Sequence, residues 1–245
     1  MQSLYGAIAN TNKKEIMVSV DAVYQKVLAI ANKEQRGYIT PQEFNLFADH
    51  AQKDIFRQYF YDLDRIERRT DSDIVELLEQ KISIFQTAPI QVNHGYILPE
   101  NTHQIDDVSV SYSGSGGAIS PVQRVNRKDV QGIQSGPLLR AHFTTCYYTY
   151  GNQVYFVLPP NNPTPTLYLN LIRKPVSPNW TYVISGESAM FDDLVPGFQN
   201  FELHDSEETL LVIKILQLAG INIKDPALVQ IASQEEIKKI QQEKQ

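Results

Sequence analysis

A chain of 245 residues with 42% hydrophobic and 10% aromatic content can bury a sizeable core, as one elaborate domain or two modest ones, and is not a disordered protein. Its 22 basic and 28 acidic residues leave a net charge of -6, which argues against a general binder of nucleic acid or anionic membranes unless basic side chains concentrate locally. The single Cys146 excludes an internal disulfide and a multi-cysteine zinc site.

The opening MQSLYGAIANTNKKEIMV lacks a basic start followed by a long apolar run, and no segment reaches membrane-spanning length, so a chain made in the cytosol is expected. Without a secretory route, the glycosylation pattern at Asn179-Trp180-Thr181 has no consequence. Val20, Val23, Tyr24, Val27, Leu28 and Ala31 recur at three- and four-residue steps and predict a first helix. A second follows from Thr40, where Thr40 can cap, Pro41 fits the first turn, and Glu43 can reach back to the cap. Its core face is Phe44, Phe47, Ala48, Ala51, Ile55, Tyr59 and Phe60, continuing through Leu63 and Ile66. A third helix is predicted after Thr70-Asp71-Ser72, carrying Ile74, Leu77, Leu78, Ile82 and Phe85.

Between the first two helices, residues 32–43 imitate a calcium loop aligned on Gly37 as its sixth position, with Ile39 eighth and Glu43 twelfth. The ligands do not match: Arg36 puts a cation at the fifth position and Glu34 is longer than the usual Asp at the third. Helix capping explains Glu43 without a metal, so the segment reads as a turn.

At Ala88-Pro89 the texture changes to proline, glycine, tyrosine and valine. Strands are predicted at Val108–Tyr112, His142–Tyr150, Gln153–Leu158, Thr166–Ile172 and Trp180–Ile184, with a hairpin turn at Tyr150-Gly151-Asn152-Gln153. Leu158-Pro159-Pro160-Asn161-Asn162-Pro163 is predicted as loop. Helical spacing returns with Asp205 as a cap answered by Glu208, a stripe of Leu211, Ile215 and Leu218, and Gly220 as the stop. Asp225-Pro226 opens a last helix that ends in the polar tail QEEIKKIQQEKQ. The predicted class is α+β: a helical bundle from residues 1–88 and 203–245 with a β-rich domain, 89–202, inserted between them.

Chemistry is poorly advertised. The five histidines, His50, His94, His103, His142 and His204, show no metal-ligand spacing. Ser113-Gly114-Ser115-Gly116-Gly117 offers backbone N–H groups to a phosphate but lacks a following Lys-Ser or Lys-Thr, and fits a hairpin tip better. The acid pairs Asp106-Asp107 and Asp192-Asp193 are adjacent rather than opposed, the usual pattern of solvated charge. No nucleophile elbow is present. No catalytic residue, metal ligand or cofactor is therefore assigned. Arg124, Arg127, Lys128, Arg140, Arg173 and Lys174 give the β region a basic population that the chain total hides. Nearby Tyr147, Tyr148, Tyr150, Tyr155 and Trp180 are read as sheet packing rather than as a base-stacking platform.

Three stretches together resemble a known family: AIANKEQRGYITPQEFNLFADHAQKDIF at 29–56, YLNLIRKPVSPNWTYVI at 168–184 and LLVIKILQLAGINIKDPALVQIASQEEIKKIQQEKQ at 210–245. They resemble the head-to-tail connector, or ring and adaptor, virion proteins of tailed bacteriophages of the crAss-like and marine type. The resemblance covers both helical ends and the late β segment, and nothing in residues 90–140. It implies a structural, non-enzymatic protein in a ring of twelve identical subunits beneath the portal protein, touching other connector or tail proteins. It further implies proximity to packaged DNA without sequence recognition, no membrane partner, and assembly in the bacterial host cytoplasm into the virion neck. Candidate subunit contacts under that resemblance are Gln234, Glu235, Ile237, Lys238 and Ile240 in the tail, with Arg173, Lys174 and Trp180 at the β edge. The rival readings are a calcium-dependent helical adaptor and a phosphate-binding enzyme built on the Ser/Gly loop.

Overall fold

The periodic apolar stripes and the alternating runs become helices and strands of a mixed α+β protein. The computed structural model describes residues 17–33, 39–66, 72–112, 119–136, 144–159, 165–186 and 188–220. In chain order the elements are α1 (Val20–Lys33), α2 (Pro41–Ile66), α3 (Ser72–Ser83), β1 (Ile90–Val92), β2 (Tyr96–Ile97), β3 (Thr102–Tyr112), β4 (Ile119–Pro121), β5 (Gln123–Arg124), α4 (Arg127–Ser135), β6 (Cys146–Tyr150), β7 (Gln153–Val157), β8 (Pro165–Arg173), β9 (Tyr182–Ser185), β10 (Ser188–Phe191) and α5 (Glu208–Leu218). A single 3₁₀ turn, Asp205–Glu207, leads into α5. The chain divides into two units, Met1–Ile84 with Pro175–Gln245, and Phe85–Lys174. Residues 175–202, expected with the β-rich insertion, therefore group with the helices instead. The last predicted helix, from Asp225, lies outside the described residues.

In the discontinuous unit, the expected stripes are mostly the buried faces; Leu77, 50% exposed, and Leu218, 40% exposed, depart from them. Val20, Val23, Tyr24, Val27 and Ala31 of α1 are buried, as are Phe44, Ala48, Ala51, Ile55, Phe56 and Tyr59 of α2. The start of α2 is the predicted capping box: the Glu43 N–H donates to Thr40 Oγ1 at 3.3 Å, and the Thr40 N–H donates to Glu43 Oε2 at 3.0 Å. Leu211, Val212, Ile215 and Leu216 of α5 complete the core. The cap of α5 differs from expectation. His204, not Asp205, starts the 3₁₀ turn, its side chain accepting from the Ser206 N–H, while Glu208 turns away to an ion pair with Lys26 at 2.6 Å. Gly220, at φ +73°, closes the helix as expected.

Side chains hold the C-terminal segment to all three N-terminal helices. Besides Lys26 on α1, Lys214 of α5 reaches Asp54 on α2 at 3.5 Å, and Lys81 on α3 meets Glu207 at 2.5 Å. The latter pair is 8% and 4% exposed, so it is a fully desolvated ion pair. Gln52, wholly buried on α2, donates to the Val176 carbonyl at 2.7 Å and accepts from the Glu202 N–H at 2.9 Å. The Val176 N–H in turn donates to Glu202 Oε2 at 2.8 Å. These tethers supply the partners that extended backbone without a sheet would otherwise lack.

In the continuous unit, two four-stranded sheets share one apolar core. Their strand orders are β1-β8-β3-β4, antiparallel throughout, and β2-β7-β6-β5, in which only β5 and β6 run parallel. Period-two alternation puts Leu167, Leu169 and Leu171 of β8 and Val108 and Val110 of β3 inward, where they meet Val154 and Phe156 of β7. β3 is longer than predicted. Its early residues Thr102–Asp107 have weak strand character, but β8 pairs along them across two register shifts. The predicted hairpin between β6 and β7 forms, with Gly151 at φ +58°. The ends of the unit are paired to each other: the Arg173 N–H donates to the Phe85 carbonyl at 3.0 Å, and the Thr87 N–H to the Leu171 carbonyl at 2.8 Å.

Candidate functional site

Several of the residues singled out for chemistry serve structure. The Glu43 carboxylate accepts from both the hydroxyl and the N–H of Thr40, and these bonds hold its pKa below the usual carboxylate value. It is therefore engaged as a cap. Residues 34–38, including Arg36 and Gly37, and the Ser113–Gly117 loop lie outside the described residues. Among the described residues, no group of three or more His, Cys, Asp and Glu gathers to hold a metal ion. Cys146 is buried in β6, and burial pushes its thiol pKa up, away from the reactive thiolate. Asp192 Oδ1 accepts from the Leu194 N–H at 2.9 Å and so serves a turn.

The predicted contact residues scatter. Gln234, Glu235, Ile237, Lys238 and Ile240 lie outside the described residues. Arg173 ends β8 with its guanidinium 6.0 Å from the centre of the Phe85 ring, and the exposed Lys174 N–H donates to the Asn101 carbonyl at 2.7 Å.

Trp180 corrects the expectation of an edge contact, because it is 1% exposed. Its ring packs 4.3 Å from Tyr24 of α1, and its indole N–H donates to Asp21 Oδ1 at 2.9 Å. One side-chain amide, Asn45, satisfies its backbone twice, accepting the Trp180 N–H at 2.8 Å and donating to the Trp180 carbonyl at 3.2 Å. Trp180 is thus a core anchor, placed before β9 rather than within a strand.

What the anchor positions is the surface that sequence reasoning missed. β9 and β10 form a two-stranded hairpin with Met190 opposite Val183 and Phe191 opposite Tyr182. Tyr182 and Phe191 stack on the Trp180 ring at 5.6 and 6.0 Å, which fixes one side of the hairpin to the core. The Thr181 hydroxyl, donating to the Asp192 carbonyl at 2.6 Å, closes its base. Directly opposed residues share a face of a sheet, so Val183 and Met190 lie on the other side, 48% and 59% exposed. Ile184 at 72%, on the Tyr182 side of the hairpin, and Leu194 at 87%, past the end of β10, are exposed as well. The signal in the sequence was Ser185-Gly186-Glu187 between two uncharged runs, Tyr182–Ile184 and Ser188–Phe191; Gly186 takes φ +66° there.

Edge strands in soluble proteins usually carry Lys, Pro or inward charges that discourage pairing, and the four-residue strands β9 and β10 carry none of these. An isolated two-stranded sheet with uncovered apolar side chains gains stability when another protein surface covers it. No described helix is long and apolar enough to cross a membrane. Compared with protein-family models and with curated proteins, the sequence has no match.

Proposed function

We propose that this chain is a structural virion protein that assembles, as identical subunits, into a ring of the head-to-tail connector of a tailed bacteriophage. The observation that carries the reading is the β9–β10 hairpin: a pre-formed element, locked on Trp180, that leaves Val183, Ile184, Met190 and Leu194 in solvent. Such a surface suits permanent contact with protein better than turnover of a small substrate. The resemblance of residues 29–56, 168–184 and 210–245 to connector proteins supplies the identity of the assembly. In this reading the helical segments form the platform of the ring and the β-rich region is inserted between them. The ring sits below the portal around the DNA channel.

Light scattering and negative-stain images of the purified chain test the proposal. Closed rings are the expected result; a monomer at every concentration and salt, together with absence from particles, sinks it. Truncation after Ala232, in the segment outside the described residues, is expected to impair assembly far more than folding. The measurement is the oligomer distribution beside the thermal unfolding curve.

A further inference from the structure

A closed ring needs two different, mutually complementary faces on every subunit, and a chain of net charge -6 must bring copies together against their mutual repulsion. The charge is not evenly spread. Residues 85–174 carry six basic side chains against four acidic, whereas the rest of the chain carries 16 against 24. The acidic unit displays the apolar hairpin, flanked by the exposed Asp193. The basic unit displays its own incomplete edge. β5, only two residues long, is the last strand of its sheet, and α4, which buries none of its residues, follows it directly. Arg124, Arg127 and Lys128 are all exposed there, outnumbering the one exposed acid beside them, Asp129, and the Arg127 guanidinium lies 4.1 Å from the ring centre of Tyr150, itself 57% exposed.

We infer that the occupant of the β9–β10 hairpin is a second copy of this chain, which presents its Arg127–Lys128–Tyr150 surface, so that copies join head to tail. The match is chemical on both counts: an apolar, acid-flanked surface meets an aromatic, basic one. Because the two faces differ, the contact is heterologous and propagates from copy to copy until it closes. The inference rests on the ring reading above and specifies the contact that builds the ring.

Charge exchange between the faces tests it. One variant carries Arg127→Glu and Lys128→Glu; the other carries Met190→Lys and Asp193→Lys, leaving Asp192 to its turn. Circular dichroism with thermal unfolding first establishes that both fold as the parent does. Each variant alone is expected to need at least ten-fold more protein than the parent for half-assembly, read by mass photometry. An equimolar mixture is expected to regain assembly within about three-fold of the parent, in rings where the two variants alternate. Raising the salt should weaken the parent and the mixture alike.

If either variant assembles like the parent, or the mixture fails to recover, the inference is overturned while the ring reading stands. Rings that stay intact but lose a different virion protein on Met190→Lys/Asp193→Lys assign the hairpin to that protein and likewise overturn it. A parent that never assembles overturns both.

Discussion

The two units solve the same problem, fixing distant chain segments against each other, by different means. The continuous unit, residues 85–174, does it with backbone: its strands pair in two sheets, and its core cluster is apolar, from Val92 to Leu171. The discontinuous unit does it mainly with side chains, beside a short backbone bridge in which the Val18 N–H donates to the Leu203 carbonyl at 3.2 Å. Of the six buried polar or charged residues among those described, Gln52, Lys81, Thr181, Glu202 and Glu207 belong to it, and Thr145 to the other. The difference follows from topology. A strand joining a sheet finds its donors and acceptors already in register, whereas the extended return at residues 175–204 lies against helices whose own backbone bonds are internal. Side-chain amides and carboxylates must then select its position.

Substitutions that strike one means and spare the other sharpen the contrast. The largest effect is expected from Lys81→Met, which leaves Glu207 buried without its cation and costs about 3–5 kcal/mol. Adding Glu207→Leu should recover most of that in chemical denaturation. If the double variant is no better than the single, the pair is not what positions the segment. Leu169→Ala removes a wholly buried side chain from the centre of β8 and should cost about 3 kcal/mol through transfer and cavity terms. Hydrogen exchange should then accelerate within residues 85–174 and not in α2 or α5; equal acceleration everywhere would break the comparison.

Alkaline pH separates the units by titration. Burial, with the Glu207 charge in second place, raises the Tyr59 phenol far above its ordinary value. An unfolded tyrosine ionises near pH 10, so the contribution is complete below about pH 10 and is lost as pH rises toward the folded value. Tyr59→Phe should therefore remove a decline that approaches about 1.4 kcal/mol per pH unit above pH 10. Tyr147, raised by burial in the other unit, should keep its share of the decline in that variant. Identical pH profiles for parent and variant would remove Tyr59 from the account. The smallest effect belongs to Thr40→Ala, about 1 kcal/mol for the loss of an exposed cap, read as a modest fall in melting temperature.

The same division governs what could be read from the sequence. α1, α2 and α5 were legible because each presents a 3.6-residue stripe to the core, and the Thr40 and Glu43 box because capping is local chemistry. The β6–β7 hairpin was legible from Gly151. Thr102–Asp107 was not, since its strand state is imposed by β8 from more than sixty residues away, beyond any local propensity. Helix α4 was hidden for the opposite reason: Arg127–Ser135 is short, its apolar side amounts to Val130 and Ile133, and it buries neither fully.

Trp180 was misplaced because its setting of proline, asparagine and threonine looks like surface. The residues that bury and satisfy it, Asp21, Tyr24 and Asn45, lie at least 135 positions earlier in the chain. The exposed hairpin it supports was hidden with it. A strand pattern predicts burial of apolar side chains, and only the fold shows which of them remain outside.

The interruption of the helical unit also sets a clock. At about 5–20 residues per second, the ribosome needs roughly 6–25 s to travel from the end of α3 to the start of α5. Residues 85–174, whose ends pair through Phe85 and Arg173, can complete themselves in that interval. Helices α1 to α3 wait, with Lys81 still lacking Glu207 and Gln52 lacking Val176 and Glu202. The nascent chain thus passes through a period in which its second domain is finished and its first is not, and in that window its helical surfaces are a ready target for a chaperone.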